Sequence, residues 1–168
     1  MHAVRDSIRI LFVCLGNICR SPLAEAVIRQ RAQERGLDGC FRFGSAGTGD
    51  WHIGGGADAR SIITAKAHGL DLGTHRARQI TSENIPGWHW FVAMDAENRM
   101  DLLAMGAKGD RVLMMRQFET PGDAAFDVPD PYFDTENGFE LVYRLFVANA
   151  DPLLDYLITE SMAVWEAY

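Results

Sequence analysis

Short apolar runs alternate with amphipathic stretches along this 168-residue chain. Continuous runs of β-branched, aliphatic and aromatic residues predict strands that are buried on both faces. Four such strands are predicted, over residues 8–13, 41–45, 90–94 and 112–115. Apolar residues at helical spacing predict helices over residues 57–68, 97–105 and 139 to about 157, and a further helix opens at Ser21 and ends at Gly36. Strands that alternate with helices imply crossover connections and a parallel sheet.

Local signals refine several of these segments. Ser21 can cap the first helix, and Pro22 suits its first position, where a missing N–H costs nothing. Residues 44–56 (GSAGTGDWHIGGG) predict a long exposed loop, and residues 119–134, with four Asp and three Pro, predict irregular structure. One side of the last helix is predicted to carry the apolar residues Leu141, Val142, Leu145, Phe146 and Val147.

The composition, 48% hydrophobic and 23% charged, predicts one globular domain over residues 1–168, with residues 1–7 and about 158–168 as terminal extensions. A formal net charge of −7 argues against a nucleic-acid partner, which would need clustered Lys and Arg. The apolar run 8–13 is too short for a signal peptide or a membrane span. Three cysteines are too few for a secreted disulfide framework, so we expect a cytoplasmic protein. No His or Cys spacing suggests a metal site.

The most specific chemistry lies in residues 8–22, where a predicted strand runs into Cys14 and five residues separate that cysteine from Arg20. A thiol becomes a better nucleophile among inward-pointing N–H groups, at a helix N-terminus or beside a cation. If this loop closes, the amides of residues 15–20, the following helix and Arg20 supply all three. The same amides and guanidinium match the oxygens of a phosphoryl group. The segment predicts a phosphate-binding nucleophile, against the alternative of a core cysteine with Arg20 on the surface.

VCLGNICRSP, residues 13–22, resembles the active-site loop of the low-molecular-weight protein tyrosine phosphatases. The resemblance extends over most of the chain. Its other segments are Asp130-Pro131-Tyr132, SAGTGDW ending at Trp51, THRARQ at 74–79 and AMDAEN at 93–98. It implies a Rossmann-like α/β fold, a three-layer sandwich with a four-stranded parallel sheet flanked by helices. It also implies hydrolysis of phosphotyrosine through a phosphocysteine intermediate.

The resemblance assigns catalytic roles to three residues. The Cys14 thiolate attacks phosphorus while Arg20 and the loop amides hold the phosphoryl oxygens, and Asp130 serves as general acid and then as general base. The loop residues expected to contact substrate are Leu15, Gly16, Asn17, Ile18 and Cys19. Charge alone does not choose Asp130 among the acids of its loop, which include Asp123, Asp127 and Asp134; the Pro-Tyr that follows Asp130 does. The acids lack EF-hand spacing, which argues against calcium.

Aromatic walls are expected to select the substrate. Trp51 and Tyr132 would flank a phosphophenyl ring. Ile18 favours tyrosine, because a related branch that acts on phosphoarginine carries a smaller, polar Thr at that position. Phe133 stands where some members of the family have a second Tyr.

Four residues are expected to support the loop. By resemblance, Asn17, Ser45 and His75 brace it through hydrogen bonds, and Asn17 tolerates the unusual backbone dihedrals that the loop requires. Ser21 caps the helix, donates to the thiolate, or serves both roles. Cys19 has two interpretations that the sequence leaves open: a reversible disulfide with Cys14 that protects the nucleophile, or a small apolar residue facing the core.

Three alternative functions fit the sequence less well. Arsenate reduction on a similar loop needs further cysteines downstream, and none follows Cys40. A phosphoarginine phosphatase of the same fold is disfavoured by Ile18. A non-catalytic phosphotyrosine-binding module could lose the nucleophile or the acid, yet Cys14 and Asp130 are both present. We therefore expect a monomeric enzyme without a cofactor, acting on a phosphotyrosine protein such as a tyrosine kinase. The WHW run at 88–90 has no role in this scheme, and Trp88 is expected to be an exposed lead-in to the third strand.

Overall fold

Four parallel strands form one sheet: β1 (Ile8–Cys14), β2 (Phe41–Gly47), β3 (Trp90–Ala93) and β4 (Val112–Met114). Their order across the sheet is β2-β1-β3-β4, so the strand that ends in Cys14 is central. The computed structural model describes residues 6–119, 126–134 and 136–165, without the side chains of residues 136 and 162–165. The α/β class and the parallel sheet are as predicted.

Helices cover both faces of the sheet. They are α1 (Arg20–Glu34), α2 (Ala59–Ala67), α3 (Ala96–Ala104) and α4 (Glu136–Trp165). On one face, Ile10 and Phe12 of β1 pack in a cluster with residues of α1, α2 and α4. On the other face, Leu11 and Val13 pack with Leu102 of α3. Both faces of β1 are therefore buried, which explains its uninterrupted apolar sequence, and the layers form the expected three-layer sandwich.

The first helix begins one residue earlier than its predicted cap. Cys19 occupies the N-cap position, and no side chain caps this end, so the assignment of Ser21 as the cap was wrong. Ser21 lies inside the first turn because its hydroxyl is directed at the sulfur of Cys14, 3.0 Å away. Pro22 consequently lies at the third helical position rather than the first, still within the turn whose N–H groups need no helical acceptor.

The second strand continues to Gly47, two residues beyond its predicted end, so residues 44–47 belong to the sheet and not to an exposed loop. Gly47 pairs with Cys14 in the β1–β2 ladder. A Cβ at Gly47 would lie 2.6 Å from the carbonyl oxygen of Leu15, so only glycine lets the loop after Cys14 pass this close. Residues 48–56 then form turns without regular structure.

The last helix is longer than predicted and rotated relative to the expected apolar side. It runs from residue 136 to 165 instead of 139 to 157. Val142 and Phe146 are buried, but Leu141 and Val147 are exposed, because the sheet is contacted by a narrower stripe that continues through Ala150 and Leu154. The other predicted helices and strands shift by no more than two residues at either end. No helix within the described ranges is long and apolar enough to cross a membrane.

The predicted irregular segment 119–134 is described in part. Residues 126–134 form neither helix nor strand, and residues 120–125, including Asp123, lie outside the described residues.

Candidate active site

The loop that follows β1 lies at the carboxyl ends of the strands, where ligands bind in open parallel sheets. Cys14 is the last residue of β1 and is buried. Its sulfur lies 3.0 Å from the hydroxyl oxygen of Ser21 and accepts a hydrogen bond from the Asn17 backbone N–H at 3.3 Å. Among the described residues, the amides of Gly16, Ile18 and Cys19 donate to no protein acceptor. The loop therefore presents free N–H groups beside a thiol.

Asn17 holds this loop in shape. Its φ of 56° lies in the left-handed region, which asparagine tolerates better than most residues. Its side-chain amide donates to Ser21 at 2.8 Å and to Ser45 at 3.0 Å, and its side-chain oxygen accepts from the Arg78 backbone N–H at 3.0 Å. Its backbone oxygen lies 2.7 Å from Nε2 of His75. The structure thus places Ser45 and His75 on Asn17, on the side of the loop away from solvent.

The Asn17 contact also orients the hydroxyl of Ser21. Because that oxygen accepts from Asn17, its own hydrogen is available to the sulfur of Cys14. The Ala46 carbonyl is the more distant acceptor, at 3.5 Å. Ser21 can therefore stabilise negative charge on the sulfur.

Arg20 is a buried cation at the end of the loop, with 3% of its side chain exposed. Its Nη1 donates to Asp95 at 2.7 Å and to the Val128 carbonyl at 3.0 Å, and its Nη2 lies 3.6 Å from a carboxylate oxygen of Asp130. Burial by itself would lower the pKa of Arg20, but the charge of Cys14 and the hydrogen bond to Asp95 outweigh it and raise the pKa above its ordinary value. The guanidinium remains charged beside the thiol.

Asp95 connects Arg20 to α3. One carboxylate oxygen accepts from Arg20, and the other accepts from the Asn98 backbone N–H at 2.8 Å. The side-chain oxygen of Asn98 in turn accepts from the Asp95 backbone N–H at 3.2 Å, which completes a capping box at the start of the helix. The sequence pattern D-x-x-N before a helix carries this signal, but nothing in it points to Arg20.

The three aspartates that the structure describes in the loop before α4 have different surroundings. Asp130 lines the cavity above Cys14 with 41% of its side chain exposed, and it accepts from the Tyr132 backbone N–H at 3.1 Å. Asp127 accepts from the Ala96 backbone N–H at 2.9 Å, at the N-terminus of α3. Asp134 does not line the cavity. Of the acids that the structure describes in this loop, Asp130 alone lines the cavity.

Further contacts hold the loop of Asp130 in place. The Val128 backbone N–H donates to the Met94 carbonyl at 2.7 Å, immediately after β3. Arg116 donates to the Asp127 carbonyl at 2.8 Å, and Arg60 donates to the Tyr132 carbonyl at 2.9 Å. The sequence interpretation missed both arginines, because their partners are backbone oxygens, which any residue type supplies.

A cavity of about 220 Å³ opens above the thiol. The residues that line it are Cys14, Leu15, Gly16, Ile18, Cys19, Arg20, Trp51, His52, Asp130, Tyr132 and Phe133. Of the residues expected to contact substrate, Asn17 is the exception: it is fully buried behind the loop. His52 and Phe133 were not predicted as site residues, although each directly follows a predicted aromatic wall residue.

The walls of the cavity are aromatic and largely open to solvent. Trp51 is 70% exposed, and Tyr132 and Phe133 meet edge to face with ring centroids 4.9 Å apart. The ring of His52 lies 6.4 Å from that of Tyr132. Offset and edge contacts of this kind favour an aromatic guest.

Cys19 differs from Cys14 although both line the cavity. Burial raises the pKa of the Cys19 thiol well above its ordinary value, and the nearby Asp58 carboxylate adds to the shift. Cys14, Cys19 and Cys40 are all free thiols. A disulfide between Cys14 and Cys19 stays one of the two interpretations given above for Cys19. No cluster of His, Cys, Asp and Glu within the described ranges could hold a metal ion.

A thiol, a guanidinium, free amides and a carboxyl around one cavity define a site for nucleophilic attack on a bound oxyanion. The family model described as low molecular weight phosphotyrosine protein phosphatase matches residues 9–162. The chain therefore belongs to the low molecular weight phosphotyrosine protein phosphatase family, a family of hydrolases, as the resemblance indicated.

Individual relatives agree with this membership. Low molecular weight protein-tyrosine phosphatase A of Mycobacterium tuberculosis is 39% identical over 159 residues, which cover 94% of this chain and 96% of that protein. A protein tyrosine phosphatase from Entamoeba histolytica, solved with Hepes in its active site, matches with a TM-score of 0.85 and 33% identity over 92% of this chain and 99% of that one. Vibrio vulnificus Wzb in complex with benzylphosphonate matches with a TM-score of 0.78 and 26% identity over 90% and 100%.

Proposed function

We propose that this protein hydrolyses phosphotyrosine in proteins, and small aryl phosphates, through a phosphocysteine intermediate on Cys14. The observation that carries the proposal is the convergence of Cys14, Arg20 and Asp130 on one aromatic-walled cavity. The nucleophile lies at the floor, the cation beside it and the acid at the mouth. Such a layering suits a phosphate monoester whose phosphoryl group enters first and whose leaving group stays outward.

The loop after Cys14 and Arg20 would bind the phosphoryl group of the substrate before the reaction begins. The free amides of the loop and the guanidinium of Arg20 would hold the non-bridging oxygens, which carry the charge of the phosphoryl group. Asp95 and the Val128 carbonyl hold Nη1 of Arg20, so the guanidinium is oriented before substrate arrives. Preorganised charge of this kind costs no reorganisation during the reaction.

Two displacements complete the reaction. The Cys14 thiolate forms a bond to phosphorus while the bond from phosphorus to the phenolic oxygen breaks, and Asp130 in its acid form gives that oxygen its proton. Water then attacks the phosphocysteine, Asp130 takes a proton from it, and the phosphorus–sulfur bond breaks to release inorganic phosphate. Ser21 stabilises the thiolate that leaves.

The cavity supports an aryl substrate. Trp51 and Tyr132 can flank a phenyl ring, and Ile18 contributes an apolar surface at the base of the cavity. The structural relative Wzb was solved in complex with benzylphosphonate, which joins an aromatic ring to a tetrahedral anion, and this supports an aryl phosphate as substrate here. By this proposal the protein substrate is a phosphotyrosine protein such as a tyrosine kinase, and the enzyme acts as a single-domain monomer in the cytoplasm without a cofactor or nucleic acid.

Turnover of para-nitrophenyl phosphate tests the catalytic assignment. Wild type should release nitrophenolate, and Cys14→Ser should abolish release. Asp130→Asn should lower kcat by about a hundredfold or more, since general acid catalysis typically contributes that much. The matched control is Asp127→Asn, which keeps an oxygen for the Ala96 N–H and should reduce kcat far less.

The pH–rate profile separates the two aspartates. In Asp130→Asn, the limb that reports ionisation of the general acid should disappear, and the rate should depend more steeply on the leaving group. If Asp127→Asn shows this behaviour instead, the acid has been misassigned. If wild type binds phosphotyrosine peptide without turnover, the protein is a binding module. Faster hydrolysis of phosphoarginine than of phosphotyrosine would contradict the role given to Ile18.

A further inference from the structure

The WHW run at 88–90, which has no part in the proposed function, lines a second cavity at the opposite end of the sheet. This cavity has a volume of about 440 Å³, twice that of the cavity above Cys14. Ile8 and Trp90, which line it, are the first residues of β1 and β3, and Arg111 directly precedes β4. The cavity therefore lies at the amino ends of the strands and shares no lining residue with the catalytic site.

Aromatic and aliphatic side chains form its walls. Trp88 and Trp90 line it together with Ile85 and Pro86. Trp88 is half-buried rather than the exposed lead-in that the sequence suggested, because its ring packs against the apolar cluster that contains Leu11 and Val13, and the Arg78 guanidinium lies 5.5 Å from the ring. Flat apolar walls of this kind favour a flat apolar guest, and the volume is in the usual range for small-molecule sites.

The charged groups at this cavity are cations. Lys108 and Arg111 line it, no acidic side chain does so, and neither cation forms an ion pair within the part of the chain that the structure describes. Arg111 lies over the ring of Trp90 at 4.6 Å. These two cations line the cavity on a chain whose formal net charge is −7, and the carboxylate of Asp6, which acts on His89, lies outside the lining.

His89, which also lines the cavity, is influenced by nearby cations. Burial lowers the pKa of His89, and the charges of Arg9 and Arg111 lower it further, while Asp6 acts in the opposite direction. Nδ1 of His89 accepts from the Arg9 backbone N–H at 2.9 Å, so the neutral ring carries its hydrogen on Nε2 as a donor. The cavity thus offers donors and positive charge.

Ser161 of α4 provides an independent indication of a ligand. It lines the cavity with only 2% of its surface exposed, and its hydroxyl has no hydrogen-bond partner among the described residues. A buried hydroxyl without a partner is unfavourable, and structures rarely keep one. A polar group of a bound molecule would satisfy it.

We infer that this cavity binds a small organic anion with a flat aromatic body and a carboxylate group. The ring packs against the apolar wall that includes Trp88, and the carboxylate is held by Lys108 and Arg111. Ser161 supplies a further hydrogen bond. This site is independent of the proposed phosphatase reaction, because its residues take no part in the chemistry at Cys14.

Calorimetric titration of the full-length chain with 2-naphthoate tests the inference. Inorganic phosphate at saturating concentration fills the Cys14 site, so any binding that persists lies elsewhere. We expect saturable binding of one naphthoate per chain. The uncharged analogue 2-naphthamide, with the same ring, should bind about tenfold more weakly, since it loses the charge-assisted hydrogen bonds.

Matched variants locate the site. Lys108→Met should weaken naphthoate binding about tenfold, whereas Lys66→Met, at the chain's other lysine on α2, should leave it unchanged. Ser161→Ala should weaken binding without lowering the melting temperature, because it removes a hydroxyl that is unsatisfied in the free protein. Unchanged turnover of para-nitrophenyl phosphate shows that each variant is folded.

Four results would overturn the inference. They are the absence of saturable binding, equal affinity for the acid and the amide, loss of binding when phosphate is added, and equal effects of the two lysine substitutions.

Discussion

Single residues of the nucleophile loop differ sharply in their surroundings, and the two cysteines show this best. Cys14 faces the donors Ser21 and Asn17, which stabilise charge on its sulfur. Cys19 is surrounded by apolar groups and by the carboxylate of Asp58, and burial raises its pKa. One loop thus contains a thiol that faces hydrogen-bond donors and another that burial holds in its neutral form.

We predict that Cys19 is poorly reactive across the neutral range. A raised pKa means that the neutral thiol persists as pH rises and that the reactive thiolate appears only under strongly alkaline conditions. In a Cys14→Ser background, iodoacetamide at pH 8 should therefore label Cys19 at least about tenfold more slowly than Cys40. Mass mapping of the alkylated peptides gives both rates, and equal labelling of the two would contradict the prediction.

At the scale of elements, the loop of Asp130 is held by α3 and α4 as much as by its own sequence. Arg116 donates to the Asp127 carbonyl and forms two hydrogen bonds with Glu119, which also accepts from Asn149 of α4. The hydrogen bond from Arg116 lowers the pKa of Glu119, so this pair stays ionised at neutral pH. The helix thereby fixes the loop that carries the acid.

We predict that Arg116→Met impairs proton donation more than phosphate binding. Loss of this anchor should lower kcat about tenfold for phenyl phosphate, whose leaving group needs a proton, and less for para-nitrophenyl phosphate. Steady-state kinetics with both substrates measures the difference. Arg144→Met, at a largely exposed arginine of α4, is the control and should change neither. An equal loss on both substrates would exclude a role through Asp130.

At the scale of the whole molecule, stability rests on the clusters on the two faces of the sheet. The larger cluster joins β1, α1 and α4, and Phe146 is fully buried within it. The next residue of the same helix, Val147, is half exposed. These neighbours provide a direct test of which side of α4 holds the fold together.

We predict that Phe146→Ala lowers the free energy of unfolding by about 3–5 kcal/mol, the usual cost of a cavity left by a buried aromatic ring. Val147→Ala should lower it by no more than about 0.5 kcal/mol, as is typical of surface positions. Urea denaturation of both variants measures the two values. Similar decreases in the free energy of unfolding for the two variants would contradict this prediction and would support the apolar side predicted from the sequence, which includes Val147.

The sequence allowed prediction of features whose causes are local. The strand before Cys14, the spacing to Arg20 and the helix that follows are contiguous, so one short segment specifies them. The tie between Arg20 and Asp95 spans 75 positions, and the different roles of Asp127 and Asp130 depend on where the N-terminus of α3 lies. Such facts arise from packing, which single-sequence patterns do not record.

The hydroxyl of Ser21 illustrates the same limit in one residue. Local rules predict that a serine before a proline caps a helix. In the folded protein, the Ser21 hydroxyl instead forms hydrogen bonds with the sulfur of Cys14 and the side-chain amide of Asn17. The exposure of Val147 has a related cause. A periodic pattern indicates that a helix has an apolar side, and the neighbouring elements decide how wide that side is.

The hydrogen bonds of the nucleophile loop also set the order in which a newly made chain can become active. Cys14 and Arg20 leave the ribosome early. The hydrogen bond of Asn17 with Arg78, and those of Arg20 with Asp95 and Val128, can form only after these later residues have been synthesised. β1 likewise pairs with both of its neighbours, β2 and β3, only after β3 has been synthesised. Synthesis therefore delivers the reactive thiol first and its supports last, so a nascent chain carries no assembled site until the last quarter of the protein begins to emerge.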